Sequence, residues 1–163
     1  MNAALERYPQ HPTLEYERAT LLERAGHVHE SVQAFERLLA ERQEDPNLMN
    51  ALGYTMADHG LELARAETLI RRALSATPDN PAVLDSLAWV RLRRGDAHGA
   101  VAILERAYGI SRDPEIAAHW GEALWQSGSQ AQARKVWAAA LARHPDSAAL
   151  KATVHRLLPP ERS

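Results

Sequence analysis

His27 and His29 form the one close histidine pair in the chain, and two imidazoles separated by a single residue could share a divalent metal. They stand at a turn just after Gly26, where alternating side chains are more often solvated than metal-bound, so no metal site is expected from them. There is no cysteine, which excludes thiolate ligands, a disulfide framework and a cysteine nucleophile. The motifs that anchor nucleotide, zinc-hydrolase or acyl-transfer chemistry, such as GxGxxG, HExxH and GxSxG, are missing as well. The sequence therefore reads as non-catalytic and free of cofactors. The chemistry left to it is recognition by aromatic rings set among polar groups, as in Asn50 with Tyr54, Asp85 with Trp89, and Glu122 with Trp125.

Those residues must be positioned by something, and the chain's punctuation shows what. Pro12, Pro46, Pro81 and Pro114 lie 34, 35 and 33 residues apart, and Gly26, Gly60, Gly95 and Gly128 keep the same step. A period of this length marks one supersecondary unit used repeatedly, as in solenoids. Within a unit, Pro46 suits the first turn of a helix, and Met49, Leu52, Gly53 and Met56 recur at helical spacing until Gly60 stops the pattern. A second helix follows with Ala66, Leu69, Ile70, Ala73 and Leu74, ending before Pro78. No alternating apolar run of strand length appears.

Small residues mark where paired helices should approach. Ala19, Gly53, Ala88 and Gly121 fall seven residues after each opening proline, and Ser31, Ala66, Ala100 and Ala133 fall near the start of each second helix. A mid-helix glycine costs about 1 kcal/mol relative to alanine, so Gly53 and Gly121 should have a packing reason.

This pattern resembles the tetratricopeptide repeat. The last unit carries it most fully, with Trp120, Gly121, Leu124, Gly128, Ala133, Trp137, Ala140 and Pro145 in the consensus slots. The departures concern turns: one extra residue between Gly60 and Ala66, Ser31 and Leu38 where alanine is usual, and two units without the closing proline. The resemblance implies an all-α, right-handed α-solenoid of about four helix-turn-helix units with a C-terminal capping helix. Residues 1–11 read as the end of a preceding repeat's second helix, so the chain is expected to begin inside a longer array. The repeats then span 12–45, 46–80, 81–113 and 114–147, a capping helix spans 148–158 with Ser147 as its N-cap, and 159–163 form a tail.

In arrays of this family a stripe on the first helix of each unit lines a concave groove. The resemblance places Tyr16 and Thr20, then Asn47, Asn50, Tyr54 and Asp58, then Asp85, Trp89, Leu92 and Arg93, then Glu122, Trp125 and Gln126 on it. Trp89 and Trp125 have an equally weighted alternative, packing between repeats, whereas Trp120 and Trp137 occupy core slots. The stripe lacks the lysines with which co-chaperones of the family hold a C-terminal carboxylate, and its carboxylates outnumber its arginines. A partner with apolar and basic side chains is expected, rather than an acidic tail.

With 19 basic and 21 acidic residues, no long-range field draws the chain to nucleic acid. Arg91, Arg93 and Arg94 instead offset the dipole at a helix C-terminus. No stretch has the length and apolarity of a membrane span. The stretches NALGYTMADHG, NPAVLDSLAWVRLRRGD and DPEIAAHWGEALWQSG look like the C-terminal repeats of proteobacterial outer-membrane lipoproteins, periplasmic adaptors that bring a processing protease to its substrates. That resemblance implies a periplasmic, membrane-anchored setting with a protease or its substrates as partners; otherwise the compartment is open. The expected function is a protein- or peptide-binding scaffold module. The alternative is a structural spacer, or a unit that self-associates into a homo-oligomer through exposed array ends.

Overall fold

A computed structural model describes residues 12–158 of the chain. The segments read from the sequence as the end of a preceding helix, 1–11, and as a tail, 159–163, lie outside the described residues. Among the described residues every regular element is a helix. In order they are α1 (Pro12–Arg24), α2 (Val28–Glu41), α3 (Pro46–Asp58), α4 (Leu63–Ala76), α5 (Pro81–Arg93), α6 (Ala97–Ile110), α7 (Pro114–Gln126), α8 (Gln130–Arg143) and α9 (Ala148–Leu157).

The odd-numbered helices α1, α3, α5 and α7 are each 13 residues long, and α2, α4, α6 and α8 are each 14, so the sequence period is a period of structure. Three starts share one device. Asp45, Asn80 and Asp113 precede the first-turn prolines of α3, α5 and α7, and their side-chain oxygens accept the N–H of Asn47 at 2.9 Å, Ala82 at 3.0 Å and Glu115 at 2.7 Å. Proline has no N–H to satisfy, and the cap takes up the next orphan donor.

The four phased glycines end the first helices. Gly26, Gly60, Gly95 and Gly128 have φ of +85°, +70°, +87° and +89°, a left-handed conformation that a Cβ disfavours. Each forms a Schellman closure. At Gly95, for example, its own N–H reaches the carbonyl of Leu92 at 3.0 Å, and the N–H of Asp96 reaches that of Arg91 at 2.9 Å.

The extra residue of the second repeat is absorbed at Glu62, which takes φ 37° and ψ 51° at the N-terminus of α4 and is the one non-glycine residue with positive φ among those described. Left-handed backbone costs a residue with a Cβ about 1–2 kcal/mol. Glu62 gives little in return, since its contact with Arg65 is 3.4 Å long and exposed. Glu62→Gly is expected to raise stability by about 1 kcal/mol. Thermal unfolding followed by far-ultraviolet circular dichroism should show a midpoint a few degrees higher.

The chain divides into two compact units, Met1–Thr77 and Pro78–Ser163. In the first, α1 packs on α2, α2 on α3, and α3 on α4. Ala19, Ser31 and Ala66 are fully buried where the pairs meet. A Cβ on Gly53 would stand 2.7 Å from Cγ1 of Ile70 and 3.0 Å from the Ala66 carbonyl, so the missing side chain lets α3 settle onto α4. In the second unit, α5 packs on α6, α6 on α7, α7 on α8, and α9 covers α7 and α8. Ser147 caps α9 as expected, accepting from the N–H of Leu150 at 3.3 Å. Gly121 faces the Trp137 indole, which lies over it with its Nε1–H donating to the Ala118 carbonyl at 3.3 Å.

Candidate functional site

The stripe residues of the first unit lie along α1 and α3. Tyr16 is half-buried, its ring edge-on to Phe35 with centroids 5.4 Å apart. Burial first, then the charges of Glu17 and Asp45, push its hydroxyl above the ordinary tyrosine value of 10.0. Thr20 donates to the Tyr16 carbonyl at 3.1 Å. Asn47 is exposed, while Asn50, Tyr54 and Asp58 are half-buried. The Asn50 Oδ1 is shielded from solvent without a hydrogen-bond partner among the described residues.

The stripe of the second unit is closed by the protein's own side chains. Asp85, Trp89, Leu92 and Glu122 are buried, Trp125 is half-buried, and Arg93 and Gln126 are exposed. Asp85 on α5 accepts from Nδ1 of His119 on α7 through both carboxylate oxygens, at 2.9 and 3.0 Å. Their side chains are 10% and 13% exposed, so the pair is largely shielded from water. The His119 ring stacks on Trp89 with centroids 4.3 Å apart, and the Arg93 guanidinium lies 5.8 Å from the Trp89 ring centre. Burial pulls the His119 pKa down, but the charge and hydrogen bond of Asp85, helped by Glu122 and Glu115, outweigh it and hold the imidazolium above the ordinary 6.5.

One helical turn further, Glu122 is held in the same manner. It accepts from Arg156 of α9 at 2.6 Å and from Gln126 at 3.1 Å. Trp125 leans on Trp137 with ring centres 5.9 Å apart and carries the Arg134 guanidinium 5.3 Å from its own centre. Two stripe carboxylates that look like free negative charge in the sequence are thus neutralised from within. Their partners lie 34 residues downstream in both cases, so adding one period to each stripe residue would have found them.

One further feature lies off the stripe and another at its edge. A cleft of about 320 Å³ opens between α2 and α4 over Leu52, flanked by Arg65 and Arg72. Arg65 is occupied there by Glu36 at 2.7 Å, and that hydrogen bond raises its pKa above the ordinary arginine value despite partial burial. The second feature is a donor cluster. His27 pairs with Glu30 at 3.0 Å and His29 is exposed; among the described residues, the three potential metal ligands that the fold brings together are Glu23, Asp58 and His59. His59 Nε2 is 3.2 Å from Glu23 Oε1 and 4.0 Å from Asp58 Oδ2.

Among known proteins, the sequence profile of the tetratricopeptide repeat family matches residues 1–47, 16–81 and 60–115. A TPR repeat-containing protein of Pseudomonas aeruginosa is 36% identical over 118 residues, which make up 72% of this chain and 20% of that protein, so the chain spans about a fifth of that relative's length. The crystal structure of a thermophilic TPR protein of Thermus thermophilus superposes with a TM-score of 0.83 at 22% identity, covering 96% of this chain and 86% of that one. MamA from Desulfovibrio magneticus superposes with a TM-score of 0.69 at 14% identity, covering 88% and 82%. At these identities the solved structures speak for the all-α repeat-solenoid fold alone.

Proposed function

This chain belongs to the tetratricopeptide repeat family, whose fold generally mediates protein–protein interaction, and from that premise we propose that it is a non-catalytic binding module that holds a peptide or protein segment on the inner stripe of its first unit. The observation that carries the reading is the contrast between the two stripes. In the second unit, Asp85 and Glu122 are already paired and Trp89 is covered by His119. In the first unit, Asn47 is exposed and Asn50, Tyr54 and Asp58 are half-buried along one helix face. Amides and a tyrosine hydroxyl at that spacing suit a peptide backbone, while Asp58 and Glu23 favour a partner with basic side chains.

Likeness to the Pseudomonas relative over part of its length supports a narrower reading, in which the module belongs to a longer bacterial adaptor. The outer-membrane lipoproteins suggested by the three sequence stretches fit that role, with a periplasmic protease and its substrates as partners.

The test is affinity capture from a bacterial envelope extract with the purified chain as bait. Asn50→Ala combined with Tyr54→Ala should reduce capture of the specific partner by more than about tenfold, the loss of roughly 1.4 kcal/mol of interface energy. Arg65→Ala, on the side of the α2–α4 cleft, should leave capture unchanged. The reverse pattern, with circular dichroism showing both variants folded, would move the binding surface to the other side.

A further inference from the structure

We propose that Glu23, Asp58 and His59 form a binding site for a transition-metal dication, of which zinc fits the donors best. The fold assembles the site from two places. Glu23 lies in the last turn of α1, and Asp58 ends α3 with His59 as its C-cap. The imidazole and carboxylate donor atoms all lie within 4.8 Å of one another. Zinc–ligand bonds of about 2.0–2.1 Å put tetrahedral ligands about 3.4 Å apart. The 3.2 Å between His59 Nε2 and Glu23 Oε1 is already such an edge, and the 4.0 Å to Asp58 closes with a small rotation of a partly exposed side chain.

The donor set selects the metal. One imidazole nitrogen and two carboxylates suit zinc and its late first-row neighbours, whereas calcium asks for six to eight oxygens and magnesium for an oxygen octahedron. The carbonyl end of α3 adds its negative dipole beside two carboxylates, which favours a cation there. The cluster is no by-product of the repeat. The matching positions in the second unit hold Leu92, Gln126 and Ser127, which cannot form a like set. A metal held here would clip α1 to α3 within the first unit, and its fourth tetrahedral position would stay open to water or to a carboxylate or imidazole from a partner. The site shares Asp58 and Glu23 with the proposed binding face, but zinc binding by the purified chain is read without any peptide, so its failure is distinguishable from failure of the capture experiment.

Calorimetric titration of the purified chain with zinc chloride at neutral pH, free of chelator, tests it. One zinc per chain is expected to bind in the micromolar range and to raise the unfolding midpoint. Affinity should fall at least tenfold in His59→Ala and in Glu23→Gln, stay unchanged in the His27→Ala/His29→Ala double variant, and be absent for magnesium and calcium. His59 is exposed, and Glu23→Gln preserves shape, so both variants should keep their circular dichroism spectrum. Zinc binding unchanged by both substitutions, or no binding at millimolar zinc, would overturn the assignment.

Discussion

Replacing His119 by alanine is expected to lower the stability of the second unit by about 3–5 kcal/mol at pH 6, the cost of breaking a buried ion pair by removing one partner. The change strands the Asp85 carboxylate, which the two Nδ1 contacts at 2.9 and 3.0 Å now satisfy, and it strips the stacked ring from Trp89. Asp85→Asn should cost less, because the amide oxygen can still accept from the imidazole. All four tryptophans of the sequence, Trp89, Trp120, Trp125 and Trp137, lie in the second unit, so urea unfolding followed by tryptophan fluorescence reads that unit specifically.

The same pair sets a pH dependence whose sign is fixed. His119 has a folded-state pKa raised above 6.5, so the folded form holds its proton more tightly than the unfolded chain does. The stabilisation is fully present below the unfolded value and is lost as pH rises through the folded one. Stability of the second unit should therefore fall from pH 6 toward alkaline pH, and Asp85→Asn should flatten the slope. A slope unchanged in that variant would assign the titration to another group.

Positions where backbone geometry dictates the residue were legible in the sequence. Gly60 and Gly95 could be placed at turns because left-handed φ selects glycine, and Pro46 and Pro81 at helix starts because proline fits there and almost nowhere else in a helix. Gly53 could be given a packing role before its neighbour Ile70 was known, since glycine inside a helix is otherwise a cost. The pairing of the stripe was not legible. Whether Asp85 faces solvent or His119 depends on the rotation between successive first helices and on two side-chain torsions, neither of which leaves a trace in apolar periodicity. Glu62 was hidden for a similar reason. The extra residue could be counted, but its conformation depends on how α4 is held by the helices around it. The Glu23–His59 contact spans 36 residues rather than the plain period, so even the one-period rule that finds Arg156 for Glu122 misses it.

Gly121 and Trp137 should prove strongly coupled in a double-mutant cycle. Trp137→Ala alone is expected to cost about 3–5 kcal/mol, because the indole is 1% exposed and its removal leaves a cavity between α7 and α8. Gly121→Ala alone should cost about 1–3 kcal/mol: the new Cβ lands on the indole ring, and the overpacking outweighs the gain of about 1 kcal/mol in helix propensity. In the Trp137→Ala background the ring is gone, so the same Gly121→Ala change should become neutral or stabilising by up to about 1 kcal/mol. The sign reversal is the decisive reading, since a methyl group that becomes favourable only once the ring is gone must have been competing with it for the same space. Additive effects in urea unfolding would mean that α7 and α8 separate to admit the methyl group, and that the close approach of the two helices is not what selects glycine at position 121.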